Sequence, residues 1–367
     1  MELRHGGNIY EEAQVQLNKE EGMELLDFSA NINPLGMPES VRRAVTEALE
    51  LAVHYPDPLC RRLRQALAEY HSLPADAIIC GNGGADLIYR LAYGLRPGRA
   101  LLTAPTFAEY EEALKQVGTE LCFYRMQEDL QIRDDILDDM EAGLDVMFLC
   151  NPNNPTGLLI RQELLSRILE RAEQRGILLV LDECFLDFTG QEERSLVEQA
   201  GKSKHLFVLR SFTKMYAMPG IRLGYGVSGR RELLDRMEES GQCWGVSVLA
   251  SEAGIAALGE EAYKQEAVRL VSRERAYLQE ELTALGLRVW DGQADYLFFR
   301  AFGVRDLYER LEPWGILIRR CANYRGLDDT FYRIAVKDHR SNEKLIHALR
   351  QVMNQIRDQV EPDSGQE

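Results

Sequence analysis

The sequence has no long hydrophobic run and no paired metal-binding motif. None of the 367 residues lies in a run of about 18 apolar residues, and no apolar signal segment opens the chain. The six histidines include no His-x-x-x-His pair and the seven cysteines no Cys-x-x-Cys pair. We therefore predict a protein with neither a membrane partner nor a metal site.

The chain also has fewer basic residues than acidic residues. The chain has 43 Lys and Arg against 59 Asp and Glu, a formal net charge of −16 at pH 7. Such an acidic chain disfavours a nucleic-acid partner. The seven cysteines are odd in number and scattered, which favours a reducing, cytoplasmic location over a disulfide-stabilised secreted fold.

What the sequence does have, from residue 78 to residue 210, is an alternation of short apolar runs with amphipathic segments. Strands that are apolar throughout, such as Ile177–Leu181, are typical of parallel sheets whose two faces are both covered. We therefore predict an α/β fold with a mainly parallel sheet flanked by helices.

The length predicts about two domains. We expect a large domain over residues 38–245 and a smaller C-terminal α+β domain over residues 246–361, whose first helical stretch covers about 247–285. Residues 1–37 are expected to form an arm that joins the small domain, and residues 362–367 a polar tail.

Polar and glycine residues follow the predicted strands where they end. In an open parallel sheet, ligands bind beyond the carboxyl ends of the strands. The residues at such ends are Gly81–Ala85, Phe107, Asn154, Asp182 and Ser211–Lys214. We therefore predict a single pocket built from these separate loops.

Lys214 is the most informative residue of this set. It follows the apolar run Leu206–Leu209, with hydroxyls at Ser211 and Thr213 and a guanidinium at Arg222. A lysine amine can bond a carbonyl, and hydroxyls with an arginine can bind a phosphate dianion. Ser-x-x-Lys also occurs in penicillin-binding enzymes, but their Ser-Asp-Asn and Lys-Thr-Gly tripeptides are absent here.

The other positions each allow two interpretations. The glycine turn 81–84 opens a helix and could bind an anion or be a plain turn, and it matches neither the dinucleotide fingerprint nor Walker A. Asp182 ends an apolar run, so it needs a cationic partner, either a protonated pyridine nitrogen or a structural ion pair. The amide of Asn154 could contact a ligand oxygen, or it could only stabilise its own turn. Phe107 and Phe185 could be core aromatics, or one of them could stack on the ring of a ligand.

Four motifs together resemble the aspartate-aminotransferase superfamily of fold type I, whose members use pyridoxal 5'-phosphate (PLP). The motifs are Asn151-Pro-Asn-Asn-Pro-Thr-Gly157, Asp182-Glu-x-Phe185, Ser211-x-Thr-Lys214 and Gly220-Ile-Arg-Leu-Gly-Tyr225. Within this superfamily, the branch of histidinol-phosphate aminotransferases and threonine-phosphate decarboxylases is the most similar. Three further segments favour the decarboxylases of cobalamin biosynthesis: His5–Ile9, Asp27–Gly36 and Ile318–Leu327.

The resemblance implies a role for each residue in cofactor binding. Lys214 would hold PLP covalently, Asp182 would keep its pyridine nitrogen protonated and Asn154 would contact its phenolate. Phe107 would stack on the ring. The other residues expected at the cofactor, mostly at its phosphate, are Gly83, Gly84, Ala85, Ser211, Thr213 and Arg222.

The resemblance also implies a homodimer, in which Tyr55 reaches the cofactor phosphate of the neighbouring subunit. Arg333 aligns with the carboxylate-binding arginine of the superfamily. His5, Asn31 and Arg319 would meet the phosphate and carboxylate of the substrate, while Arg320 has no assigned role. Many relatives have a tyrosine where this chain has Phe185, so a hydroxyl donor to the phenolate is missing.

The implied reaction is decarboxylation of L-threonine O-3-phosphate to (R)-1-amino-2-propanol O-2-phosphate and CO2. The spacing of the motifs does not separate this reaction from that of a histidinol-phosphate or related amino-acid aminotransferase. A non-catalytic regulator of the same fold would carry a fused DNA-binding segment, for which the roughly 25 residues before the first motif leave no room. We therefore expect an enzyme.

Overall fold

The structure is a computed structural model that describes residues 6–8 and 25–360. Its helices are α1 (Glu39–Glu47), α2 (Arg61–His71), α3 (Gly84–Leu95), α4 (Ala108–Gln116), α5 (Gln162–Arg175), α6 (Val197–Ala200), α7 (Arg231–Ser240), α8 (Val248–Ala257), α9 (Glu261–Ala284), α10 (Leu307–Leu311) and α11 (His339–Val360). Short 3-10 helices cover Ala48–Val53, Ala75–Ala77, Asp134–Leu137, Leu186–Thr189, Glu192–Arg194 and Glu312–Trp314. Within the described range, no helix combines the length and the apolar character needed to cross a membrane.

The strands form a large sheet and two smaller ones. They are β1 (Leu26–Asp27), β2 (Ile78–Gly81), β3 (Arg99–Ala104), β4 (Glu120–Arg125), β5 (Val146–Cys150), β6 (Leu178–Asp182), β7 (Leu206–Ser211), β8 (Gly224–Val227), β9 (Arg288–Val289), β10 (Tyr296–Arg300), β11 (Ile316–Leu317), β12 (Arg319–Arg320) and β13 (Phe331–Ala335). The large sheet has seven strands in the order β2-β8-β7-β6-β5-β3-β4. Only β8 runs against its neighbours, so the predicted α/β fold with a mainly parallel sheet is confirmed.

The apolar strands form because both faces of the large sheet are covered. Every residue of β5 and β6 is buried, which explains why their sequences are apolar throughout instead of alternating. Side chains of α3, α4 and α7 pack on one face, among them Leu91, Tyr110 and Met237. Side chains from α2 and α5 contribute to the core on the other face. The parallel strands therefore all end at one edge, where the loops that follow β2, β3, β5, β6 and β7 come together.

The C-terminal part is built around a second, antiparallel sheet with the order β12-β13-β10-β9. Helices α9 and α11 pack on each other, and both contribute buried leucines to the core. β1 pairs with β11, with Leu26 opposite Ile316, so the segment before residue 37 that the structure describes lies against this part. The predicted domain boundary near residue 245 stays a prediction.

Three element predictions need correction. The helical stretch predicted over 247–285 is two helices, since α8 ends at Ala257 and α9 begins at Glu261, with the poor helix former Gly259 between them. The strand predicted over 316–318 ends one residue earlier, at the end of β11, and the following strand β12, which pairs with β13 and not with β1, was not predicted. β8 and α7 were not predicted, and for β8 the reason is that Gly224 and Gly226 weaken the strand pattern.

Candidate active site

A cavity of about 590 Å³ opens at the carboxyl edge of the large sheet. The structure brings twelve of the predicted site residues together in its wall: Asn31, Gly84, Ala85, Phe107, Asn154, Asp182, Ser211, Thr213, Lys214, Arg222, Arg319 and Arg333. They come from loops far apart in sequence. The single pocket predicted from the strand ends is therefore present.

Two of the remaining predicted site residues, Gly83 and Tyr55, lie outside the cavity wall, as does Arg320, to which no role was assigned. Gly83 lies just behind the wall, next to Arg222. Tyr55 is 79% exposed and stacks on Trp244 with 4.6 Å between ring centroids. Arg320 is exposed and donates to Glu309 over 2.5 Å.

His5 lies outside the described residues. The residues that follow it, Gly6 and Gly7, do line the cavity, and the Gly7 N–H donates to Ser29 Oγ over 2.8 Å. The two residues that follow His5 therefore lie at the site. The role of His5 itself stays a prediction.

Lys214 is placed by the turn that follows β7. Burial lowers the pKa of its amine, and the positive charge of Arg333 acts in the same direction, while the carboxylate of Asp295 opposes both. Its Nζ lies 5.9 Å from the centre of the Phe185 ring. A lowered pKa increases the fraction of neutral amine, which is the nucleophilic form that attacks a carbonyl.

Asp182 ends β6 and is buried. Its Oδ2 accepts a hydrogen bond from the Tyr110 hydroxyl over 2.5 Å, and its Oδ1 accepts from the Cys184 N–H over 2.9 Å. Burial raises the pKa of this carboxyl in spite of these donors, so a cationic partner would favour the ionised form. The neighbouring Glu183 has such a partner in Arg210, 3.1 Å away. Within the described part of the chain Asp182 has no salt bridge, so the pyridine nitrogen fits better than the structural ion pair.

The glycine turn and Arg222 lie against each other and form a cradle at the cavity. Gly83 has a φ of +87°, and a Cβ built there would lie 2.5 Å from Arg222 Nη2. Gly84 then opens the twelve-residue helix α3, whose first N–H groups are directed toward the cavity edge. Arg222 itself has a φ of +64°, a left-handed conformation that is rare outside glycine and is found at functional sites.

Two buried arginines, Arg319 and Arg333, line the cavity. Arg333 Nη1 donates to Asn154 Oδ1 over 2.5 Å, and its Nη2 donates to the carbonyl oxygen of Ser29 over 3.1 Å. Arg319 Nη2 donates to Asn323 Oδ1 over 2.8 Å. Asn31 is buried nearby, and its Oδ1 has no hydrogen-bond partner in the described residues. These groups can bind a ligand that carries two negative charges, on one group or on two separate groups.

Sequence reasoning missed three residues of the site. Tyr110 lies on α4, three residues after Phe107, and no motif marked it. Tyr324 lies in the segment Ile318–Leu327, but only the structure shows its contact with Asn154. Asp295 directly precedes β10, and no motif marked it.

Asp295 is fully buried, and neither carboxylate oxygen has a hydrogen-bond partner among the residues that the structure describes. Burial raises the pKa of Asp295 to about 6, although the charges of Lys214 and Arg333 act against this rise. The charge of the Asp295 carboxyl therefore interacts with the charged residues of the site, even though Asp295 does not line the cavity.

The residues in the cavity fit PLP. A lysine with a lowered pKa can bond its aldehyde, a buried aspartate can meet its pyridine nitrogen, and a helix N-terminus with an arginine can bind its phosphate. Together with the sheet order, this set defines a site of the PLP-dependent transferase class.

A sequence profile of the family described as aminotransferase class I and II matches residues 23–349. The threonine-phosphate decarboxylase of Salmonella typhimurium is 44% identical over 96% of this chain and 97% of its own length. The crystal structure of the histidinol-phosphate aminotransferase from Clostridium acetobutylicum has a TM-score of 0.85 at 35% identity, over 90% of this chain and 100% of that one. The structure of L-threonine-O-3-phosphate decarboxylase from Porphyromonas gingivalis has a TM-score of 0.80 at 30% identity, with the same coverage.

The chain belongs to the aminotransferase class I and II family. This confirms the predicted resemblance to fold type I, the prediction of an enzyme and the prediction of PLP as its cofactor. The similarity to threonine-phosphate decarboxylases, predicted from three segments, is confirmed as well. What each site residue does stays a prediction.

Proposed function

We propose that this enzyme is a PLP-dependent carboxy-lyase that converts L-threonine O-3-phosphate to (R)-1-amino-2-propanol O-2-phosphate and CO2. The product would serve the aminopropanol arm of cobalamin. The observation that carries the proposal is the pair of buried arginines, Arg319 and Arg333, in the same cavity as Lys214. The substrate carries two anionic groups, a phosphate and a carboxylate, and each requires a cationic partner when it leaves water.

In this proposal Lys214 binds the cofactor covalently, and Asp182 pairs with its pyridine nitrogen. Asn154 donates to its phenolate and Phe107 covers its ring. Its phosphate lies in the cradle of Gly83, Gly84, Ala85, Ser211, Thr213 and Arg222. When bound, the cofactor supplies an electron-accepting ring that stabilises the charge left on the substrate's Cα after bond cleavage.

The protein's own contribution to the reaction is orientation. The bond that lies perpendicular to the cofactor ring is the one that breaks. Arg319 and Arg333, helped by Asn31 and His5, would hold the substrate with its Cα–carboxylate bond in that direction. The ε-amine of Lys214 would be released when the amine of the substrate takes its place on the cofactor, and it could then return a proton to Cα.

We also propose a homodimer in which Tyr55 completes the phosphate site of the neighbouring subunit. Tyr55 stands outside its own cavity, in an exposed apolar stretch that includes Leu49, Leu51 and Val53. An exposed patch of this kind typically marks a protein interface. Equilibrium sedimentation tests the dimer, and a monomer would refute it. The PLP affinity of Tyr55→Ala tests the contact across the interface, and an affinity equal to that of the wild type would refute that contact.

Two further assignments belong to the proposal. The domain boundary near residue 245 is supported by the separate antiparallel sheet that begins at β9. A cytoplasmic location is supported by the seven cysteines, all of which are unpaired.

The decisive experiment incubates PLP-loaded enzyme with L-threonine O-3-phosphate, in the absence of any 2-oxo acid, and follows CO2 release. Sustained release, absent in Lys214→Ala, supports the decarboxylase. Unphosphorylated L-threonine is the matched control substrate, because it lacks the group that one of the arginines would bind. No CO2 release from the wild type would refute the proposal.

The second candidate is a histidinol-phosphate or related amino-acid aminotransferase. The favouring observation is the similarity to the Clostridium acetobutylicum structure described above. Such an enzyme would retain the substrate's carboxylate and require a 2-oxo acid for sustained turnover. Amino transfer from histidinol phosphate to 2-oxoglutarate, without CO2 release from threonine phosphate, would assign the chain to this activity.

A further inference from the structure

The side chain of Asn154 is held from two sides by the C-terminal part of the chain. Arg333 Nη1 lies 2.5 Å and the Tyr324 hydroxyl 3.1 Å from the same atom, Asn154 Oδ1. A guanidinium has only donors, so the Asn154 atom that faces Arg333 has to be the amide oxygen. The hydroxyl of Tyr324 is then a second donor to that oxygen. The chemistry of the partners thus fixes the orientation of the amide.

The opposite side of the amide is left for the cavity. Asn154 lines the cavity with Lys214, and its two hydrogen bonds in the described part of the chain both go to Oδ1. If the amide turned over, Nδ2 would face the guanidinium of Arg333 and place donor against donor, although the Tyr324 hydroxyl could then act as an acceptor. Arg333 therefore decides which end of the amide faces it, Tyr324 adds a second hydrogen bond that restrains Oδ1, and Nδ2 stays available to a ligand.

We propose that Tyr324 is a positioning residue of the cofactor site, which, together with Arg333, aims Asn154 Nδ2 at the phenolate oxygen of bound PLP. The proposal rests on the role of Asn154 given under the proposed function, but not on the identity of the substrate. Phe185 lines the same cavity and has no hydroxyl to offer to the phenolate. The orientation of Asn154 consequently matters more than it would beside a tyrosine at that position.

The segment that carries Tyr324 is fixed to the large sheet. The neighbouring Arg325 forms a two-point ion pair with Glu111 of α4, with Nη2 to Oε1 at 2.6 Å and Nε to Oε2 at 3.2 Å. Its guanidinium also lies 4.0 Å from the centre of the Phe123 ring. Paired and stacked arginines of this kind are geometrically well defined. The Tyr324 hydroxyl is therefore held in place before any ligand arrives.

A donor to the phenolate oxygen stabilises its anionic form and so lowers the pKa at which the bound cofactor changes its visible absorption. In Tyr324→Phe the ring stays and the hydroxyl is lost, so the Asn154 amide is less firmly aimed. We expect the midpoint of the absorption titration to rise by about half a pH unit to one unit. No substrate is needed for this measurement.

The matched control is Tyr332→Phe. Tyr332 is also fully buried, lies next to Arg333 on β13 and donates to the carbonyl oxygen of Val304 over 3.2 Å. This variant loses a buried hydroxyl without touching Asn154, and its midpoint should stay at the wild-type value. Asn154→Ala sets the full size of the effect. Arg325→Gln, which keeps the hydroxyl and releases the segment, should give a smaller rise.

A rise in Tyr324→Phe, with Tyr332→Phe unchanged, supports the proposal. It is overturned if Asn154→Ala shifts the midpoint and Tyr324→Phe does not, or if Tyr332→Phe shifts it equally. It is also overturned if neither Asn154→Ala nor Tyr324→Phe has an effect, in which case the role of Asn154 fails too. CO2 release from threonine phosphate is measured separately, so failure here leaves the reaction assignment open to its own test.

Discussion

The hydroxyl of Tyr110 donates a hydrogen bond to Asp182 over 2.5 Å, and both residues are buried. The phenol comes from α4, which follows the strand adjacent to β5, and the carboxylate ends β6. The contact therefore connects a helix that covers the large sheet to one of its strands, at a residue that lines the cavity. Because burial raises the pKa of Asp182, each donor to this carboxylate helps to keep it ionised.

We predict that Tyr110→Phe binds PLP more weakly, by about tenfold to a hundredfold, since a hydrogen bond to a charged group contributes about 1.5 to 3 kcal/mol. The dissociation constant, measured by fluorescence titration of the apoprotein, tests this. Tyr89→Phe is the control, because Tyr89 also donates to a carboxylate, Glu109, over 2.8 Å but outside the cavity. Equal affinities for wild type and Tyr110→Phe would contradict the prediction.

Gly83→Ala should disturb the phosphate cradle in two ways. Its backbone (φ +87°, ψ 168°) is in a region essentially restricted to glycine, so alanine should cost about 1 to 3 kcal/mol of unfolding free energy. Its new methyl group would also meet Arg222 Nη2 at 2.5 Å. We expect the displaced guanidinium to lower PLP affinity about tenfold or more, measured by titration of the apoprotein.

Gly118→Ala separates these two effects. Gly118 also has a positive φ, +79°, but a Cβ there meets nothing within 4 Å. This variant should lose stability while binding PLP as the wild type does. If both variants lost affinity equally, the loss would come from backbone strain and not from Arg222.

Lys214→Ala should abolish covalent attachment of the cofactor. After borohydride reduction and denaturation, the wild-type chain should carry the reduced cofactor in its intact mass and the variant should not. Lys115→Ala is the control, since Lys115 is half exposed on α4 and pairs with Glu111 there. A cofactor adduct still present in Lys214→Ala would show that another lysine carries it.

The strand ends were predictable because parallel strands have to be apolar throughout and ligands bind beyond their carboxyl ends. Lys214, Asp182 and Arg222 each follow such a strand or a recognisable motif, so the sequence alone marks them. Tyr110 and Tyr324 could not be found in this way. Their function depends on a contact across elements, and the sequence neighbours of each describe only its own helix or loop. β8 was missed for a related reason, since its two glycines face the glycine turn and the Phe207 ring, and a packing demand of this kind leaves no apolar pattern.

Asp295 gives a prediction on stability. Its pKa is raised from 3.8 to about 6 by burial, so the folded protein binds a proton there more tightly than the unfolded chain does. The protonated carboxyl's contribution to the free energy of unfolding is complete below about pH 4 and is lost as the pH rises through about 6. Above that pH, the fold carries a buried carboxylate whose oxygens have no hydrogen bond within the described residues.

Asp295→Asn should therefore stabilise the apoprotein at pH 8 by roughly 1 to 3 kcal/mol and have little effect at pH 4.5. Urea unfolding of the wild type and the variant at both pH values measures the difference. Asp291→Asn, in the same loop but exposed, removes the same charge and should show no such pH dependence. An equal effect of Asp295→Asn at both pH values would mean that the carboxylate is already neutralised in the folded chain. Lys214, Arg333 and Arg275 are the cations that act on Asp295, so that outcome would attribute its compensation to these three residues, of which Lys214 and Arg333 line the active-site cavity.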